Sequence, residues 1–138
     1  MTRLNCMSSA SVVQMATVSA DAFASAISKT LEKYRDNVQE NLADIVKDLS
    51  KKGAKEIKSK AQSTFNGRNY ASGWTSRFDG GRVSSQGIIY NGKYPGLPHL
   101  LENGHANRGG GRTPGRVHIA PVEEEIVKQF ENEVKSKL

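Results

Sequence analysis

Between residues 23 and 49 the apolar positions are Phe23, Ile27, Leu31, Tyr34, Val38, Leu42, Ile45 and Leu49, at steps of 4, 4, 3, 4, 4, 3 and 4. Only a helix brings positions so spaced onto one side. Their eleven-residue repeat averages about 3.67 residues per turn, close to a straight rod. Ser19 is a suitable N-cap, and Asp21 puts a negative charge in the first turn, where the helix dipole favours it. Beyond Leu49 the stripe continues more weakly through Gly53, Ile57 and Ala61. Unbroken from Asp21 to Ala61, such a helix would be roughly 60 Å long at 1.5 Å per residue. That exceeds the diameter expected of so small a domain, so one end should project, bend or pack on another subunit. Gly53 is the expected weak point, because glycine costs about 1 kcal/mol in a helix interior. A rod this long with one narrow stripe is a sign of assembly.

After residue 64 the helical period stops. Trp74, Arg77 and Phe78 lie among small polar residues, DGG at 79–81 is a turn signal, and RVSSQGIIYN ends in a β-branched and aromatic run. A β-hairpin is expected from 73–78 and 82–90, with a further turn at NGK, 91–93. LPHLLENG at 97–104 reads as a short helix, with Pro98 in its first turn and Gly104 just past its end. VHIA at 117–120 should be extended. Pro121 should open a last helix with Glu123, Glu124 and Glu125 in its first turn. Its apolar face would be Val122, Ile126, Val127, Phe130, Val134 and Leu138. The fold class is therefore α+β. It comprises a long N-terminal helix at 19–64, a small antiparallel sheet built on a hairpin within a β-rich part at 70–120, a short helix, and a C-terminal helix at 121–138. Residues 1–18 read as an N-terminal extension before a single domain at 19–138.

A chain of 138 residues suffices for one domain with a core. At 36% apolar that core should be modest, with part of the order supplied by partners. No apolar run approaches the ~20 residues needed to span a bilayer. The first 23 residues lack the continuous apolar core of a signal peptide. A single cysteine, Cys6, excludes an intramolecular disulfide, and no motif around it marks a reactive thiol. The net charge of +6 is uneven. Residues 47–60 hold six lysines against Asp48 and Glu56, and residues 61–121 hold seven basic groups against Asp79 and Glu102. A positive middle implies a polyanion or an acidic protein partner, unless the lysines form only a solvated face.

The stretch GHANRGGGRTPGR, 104–116, is the most unusual in the chain. RGGGR lacks the GK[ST] ending of a phosphate-binding P-loop and the G-x-G-x-x-G of a dinucleotide site. A single copy in a structured context does not fit a repeated RGG segment. What remains is a flexible loop with Arg108, Arg112 and Arg116 at intervals of four, whose glycines let the backbone approach another surface. His99, His105 and His118 lack any standard zinc-ligand spacing, and His99 reads better as a helix-face residue beside Leu100. No serine sits in a nucleophile elbow, so nothing marks an enzyme. Trp74 among basic residues could stack on bases, but more often such a residue is the core of a small sheet.

The run IIYNGKYPGLPHLLENGHANRGGGRTPGRVHIAPVEEE, with GRNYASGW upstream (Gly67, Tyr70 and Trp74), closely resembles one known family. It is the gene-product-ten-like tail-component family of long, non-contractile-tailed bacteriophages, also called neck or tail-completion proteins. The match rests on YN followed by PGL, on HLLENGH, on RGGGR, and on HIAP leading into an acidic helix start, and extends over residues 16 to 138. The resemblance implies a non-enzymatic virion protein with no cofactor or metal. It would be made in the host cytoplasm and assembled at the head–tail junction as a ring of six or twelve copies. Head-completion or connector proteins would adjoin it on one side and tail-terminator or tail-tube proteins on the other, around the channel that passes double-stranded DNA. Family members often begin near MATVSADAF, which here starts at Met15, so residues 1–14 are expected to be dispensable.

In that setting His105, Arg108, Gly109, Gly110, Gly111, Arg112 and Arg116, with Lys51, Lys55 and Lys58 on the helix, are the expected contact residues. A protein interface is the first expectation for them, and non-specific DNA contact in the channel the second. The competing reading is a stand-alone nucleic-acid-binding module that uses the same basic groups.

Overall fold

The computed structural model of the chain describes residues 17–66, 68–81 and 83–138. Ser19 caps the first helix, α1, as its spacing predicts: its Oγ accepts the Ala22 N–H at 3.2 Å. Helix α1 is Ala20–Phe65, 46 residues, and Asn66 ends it with a φ of 49°. It does not break at Gly53. A Cβ there would lie 2.7 Å from Ile89 Cδ1 and 3.3 Å from Ile126 Cγ1, so glycine serves close packing rather than a hinge.

By their contacts the described residues form two units, 17–33 and 34–138. In the first, every described residue is exposed, including the stripe positions Phe23, Ile27 and Leu31. In the second, Ile45, Leu49, Gly53, Ala54, Ile57 and Ala61 are the buried side of α1. The periodic stripe therefore becomes core only from Ile45 onward.

A four-residue helix, α2 (Arg68–Ala71), leads into the hairpin of β1 (Trp74–Gly80) and β2 (Ser85–Asn91), paired from Trp74↔Asn91 to Gly80↔Ser85. Asp79 and Gly80 belong to the strand, so the turn is later than DGG suggests. The pairing runs on to Gly80↔Ser85, and beyond it the Gly81 N–H reaches the Ser84 carbonyl; residue 82, placed in a strand by sequence, lies outside the described residues. Helix α3 (Pro98–Asn103) stops at Gly104, whose φ is 77°. The segment expected to be a loop is a second small hairpin, β3 (Gly104–Ala106) with β4 (Arg112–Pro114). The extended piece expected at 117–120 is not a strand, because its backbone N–H groups are spent on a carboxylate described below. Helix α4 is Ala120–Lys137.

The core gathers Ile57 and Ala61 of α1, Tyr70, Ala71 and Trp74 around the first hairpin, and Val122 of α4. Phe65, Ile89, Leu101, Ile119 and Ile126 pack against it. Trp74 is core, not a free stacking platform. On α4 the expected apolar face is only partly covered: Val122 is buried, Ile126, Phe130 and Val134 half-buried, and Val127 and Leu138 exposed. Among the described residues no helix is long and apolar enough to cross a membrane.

Candidate functional site

Helix α4 begins without a side-chain cap of its own. Its N-cap position is Ile119, which has no polar group, although the first N–H groups of any helix lack internal partners. Glu102, the fifth residue of α3, supplies the cap across 18 positions of chain. Its carboxylate accepts the backbone N–H groups of His118 at 2.8 Å, Ile119 at 3.0 Å and Ala120 at 3.0 Å. Partial burial opposes ionisation of Glu102. The three N–H donors, with help from His118, outweigh it and hold the carboxyl below its ordinary value.

The same carboxylate lies 2.8 Å from Nδ1 of His118, which is fully buried and also 2.9 Å from the Arg116 carbonyl. Both neighbours of Nδ1 are acceptors, so this nitrogen carries a proton. Nε2 shares a 2.9 Å hydrogen bond with the Tyr70 hydroxyl. Phe65, Tyr70 and Trp74 surround the imidazole edge-on, with centroids 4.9–6.3 Å from it. Burial pushes the Tyr70 phenol up to about 12; the Glu102 charge adds to this, and Trp74 offsets part of it. A Glu–His–Tyr chain could in principle relay protons. Here the carboxylate oxygens are occupied by backbone donors, and the arrangement fastens α3 to the start of α4. Sequence reading quoted Glu102 within HLLENGH without assigning it a role. The signal that could have found it is the capless start of α4, since a helix opening on Ile-Ala-Pro needs an acceptor from elsewhere.

The residues expected to make contacts fall into separate places. Arg108 and Gly109 form the tip of the second hairpin, closed by hydrogen bonds between Asn107 and both Gly110 and Gly111. Gly110 and Gly111 adopt φ values of 94° and 84°, which L side chains rarely reach, while a Cβ on Gly109 would meet open space. Arg112 stands exposed on β4, and neither it nor Arg108 has an ion-pair partner among the described residues. Arg116 does not join them: its guanidinium donates to the Thr64 carbonyl at the end of α1, at 3.3 Å, and its N–H to the Leu101 carbonyl at 2.7 Å. His105 is half-buried on β3, with Nδ1 unpartnered among the described residues. Lys51, Lys55 and Lys58 are exposed on α1, together with Lys47, on the side away from its buried residues. His99 is exposed rather than packed beside Leu100, and among the described residues no cluster of His, Cys, Asp or Glu could hold a metal ion.

Between β2, α3 and α4 lies a largely apolar cleft of about 610 Å³. Trp74, Ile89, Tyr90, Ile126 and Val127 line it, with the carboxylates of Glu102 and Glu123 beside them.

The family model described as "Bacteriophage HK97-gp10, putative tail-component" matches residues 18–104. The chain belongs to this family. The matched span runs from just before α1 through α3 to Gly104, and includes the capping carboxylate of Glu102. The glycine–arginine tip and α4 lie beyond it. Comparison with curated proteins and with solved structures found no match. As an HK97-gp10-like tail-component protein, the chain is a structural part of a phage tail.

Proposed function

We propose that the protein is a neck or tail-completion component that assembles as a ring at the head–tail junction and joins head to tail. The observation that carries this reading is an uncovered apolar stripe on a tail-component chain: Phe23, Ile27 and Leu31 are 60%, 44% and 62% exposed. Regularly spaced large apolar groups left in water are characteristic of a surface that is covered on association. A ring contact is heterologous, so each copy needs two different surfaces, and its closure depends on loops that fit a neighbour. The second hairpin suits that role, because Arg108 at its tip and Arg112 at the start of β4 have no ion-pair partner among the described residues. They would meet carboxylates of a neighbouring copy or of an adjacent virion protein.

The test is the double variant Arg108→Glu/Arg112→Glu in the phage or prophage that encodes the chain. The purified variant should fold normally, while heads and tails accumulate unjoined. A normal yield of infectious particles would refute the assignment of these arginines. A second reading, contact with double-stranded DNA in the channel, is favoured by Lys47, Lys51, Lys55 and Lys58. They follow one another at steps of 4, 4 and 3 on the exposed side of α1. Tight binding of short duplexes by the isolated protein, lost steeply with added salt, would favour a nucleic-acid-binding module over the ring.

A further inference from the structure

The first hairpin leaves a strand edge open, and the phase of its hydrogen bonds fixes which groups stand on it. Gly81 donates to the Ser84 carbonyl at 2.7 Å and Gly92 to the Gly73 carbonyl at 2.8 Å, both in register with the β1–β2 ladder. Hydrogen-bonded pairs alternate along an antiparallel ladder, so those of β1 belong to Thr75, Arg77 and Asp79. Ser76, Phe78 and Gly80 turn their N–H and C=O groups the other way, to the outer edge of the strand. Among the described residues no backbone group answers them, and β1 has no strand neighbour besides β2.

A two-stranded sheet is marginal in water, and natural edges are commonly blunted by lysine, proline or a bulge. β1, WTSRFDG, contains neither residue, and its register runs without a bulge. It carries instead one charge of each sign, Arg77 and Asp79, on its exposed face and 2.7 Å apart. We propose that this edge pairs with the β1 edge of a second copy, antiparallel about a two-fold axis through Phe78.

Hydrogen bonding requires Ser76, Phe78 and Gly80 to pair among themselves, so the axis must pass through a residue rather than between two. Charge selects among the registers that remain. An axis through Arg77 sets arginine against arginine, and one through Asp79 sets aspartate against aspartate. An axis through Ser76 leaves both charges opposite neutral residues, Thr75 and Gly73. An axis through Phe78 puts Arg77 of each copy opposite Asp79 of the other. These fall in non-hydrogen-bonded pairs, whose Cα atoms lie about 4.5 Å apart with their side chains closest. Opposite charges so placed stabilise a sheet, and like charges destabilise it. β2 offers no such selection, because the side chains on its matching face are Gln86, Ile88 and Tyr90. Every copy in a ring faces the same way, whereas a two-fold axis turns one copy over. The pairing therefore belongs to the free protein and goes beyond the ring reading.

Cysteine cross-linking of the full chain reads this register. With Cys6, the sole cysteine, replaced by serine, Thr75→Cys in one copy stands opposite Gly81→Cys in the other, in a non-hydrogen-bonded pair that suits a disulfide. Both positions are exposed, and a Cβ on Gly81 would meet nothing closer than 3.5 Å. Mixing the two variants with glutathione disulfide should give a disulfide-linked dimer. Each alone should not, since like positions lie about 20 Å apart along the strands. Adding Arg77→Asp to both should cut the product about tenfold, by setting aspartate against aspartate. Arg77→Asp in one and Asp79→Arg in the other should restore it. No product from the mixture, an equal product from either variant alone, or a product indifferent to these charges would overturn the proposal. Particle yield does not enter this test, so its failure leaves the head–tail reading standing, and failure of that reading leaves the pairing intact.

Discussion

Replacing Glu102 should unfasten the start of α4, and the structure sets the size of the effect. The carboxylate holds three backbone N–H groups, and its side chain is only 13% exposed. Losing an ordinary N-cap acceptor costs about 1 kcal/mol. Stranding a partly buried donor costs about 1–3 kcal/mol. Ala120 is exposed, so water can satisfy its N–H in Glu102→Ala; the N–H groups of His118 and Ile119 are less accessible. The expected loss is about 3 kcal/mol, or roughly 12 °C in Tm, at about 4 °C per kcal/mol for a chain of this size. Glu102→Gln should rescue little. Every partner of the carboxylate is a donor, so one face of the amide would set its own N–H groups against backbone N–H groups.

The pH dependence follows from the lowered pKa of Glu102. A carboxyl whose folded value lies below its unfolded one stabilises the fold fully above the unfolded pKa, and that contribution is lost as pH falls through the folded value. The stability gap between wild type and Glu102→Ala should therefore be widest near neutrality and close at acid pH, below the usual carboxyl range. Urea unfolding followed by circular dichroism from neutral to acid pH measures it. A Glu102→Gln protein as stable as the wild type, or a gap that does not narrow in acid, would refute the anionic-cap argument.

The glycines of the second hairpin should respond unequally. A Cβ on Gly104 would meet the Thr113 carbonyl and one on Gly115 the Glu102 carbonyl, so alanine at either should cost at least about 2 kcal/mol in urea unfolding. Gly109→Ala should stay within about 0.5 kcal/mol, since its Cβ would face open space; equal effects at all three would contradict the described backbone. Tyr70 should ionise at about 12, visible as the 295 nm difference between wild type and Tyr70→Phe in alkaline titration. A midpoint near the ordinary phenol value of about 10 would show that the ring is not buried against His118 and Trp74.

Much of the fold was legible because its signals are local. The 4-4-3 steps mark α1, Ser19 its cap, Pro98 and Pro121 the first turns of α3 and α4, and the β-branched run the second strand of the first hairpin. The misreadings are places where a distant contact overrides a local preference. Gly53 looks like a helix breaker until Ile89 and Ile126 are seen resting on it. VHIA looks like a strand until Glu102 claims its N–H groups. Arg116 looks like one of three spaced cations until Thr64 takes its guanidinium. The candidate site was least legible because it joins residues from α2, α3 and the start of α4. Each is ordinary by itself, and only the bare N-terminus of α4 hints at the join.

These distant contacts also bear on how the second hairpin can act. At its base, the Arg116 N–H is held by Leu101 and its side chain by Thr64, Glu102 grips residues 118–120, and the backbones of Gly104 and Gly115 approach too closely for any side chain. At its tip, the only described tethers besides the strand pairing are short-range: the turn bonds of Asn107, and the 2.8 Å bond from the Thr113 hydroxyl to the Asn107 side chain. A flexible glycine-rich loop would lose much conformational freedom on docking, and that loss would subtract from any contact its arginines make. A hairpin clamped at its base has given up most of that freedom on folding. Arg108 and Arg112 can then meet a partner with little further ordering, provided the clamp is intact. Loosening the clamp through Glu102 should therefore weaken head–tail joining at temperatures where the chain is still folded, even though Glu102 contacts no partner in this scheme.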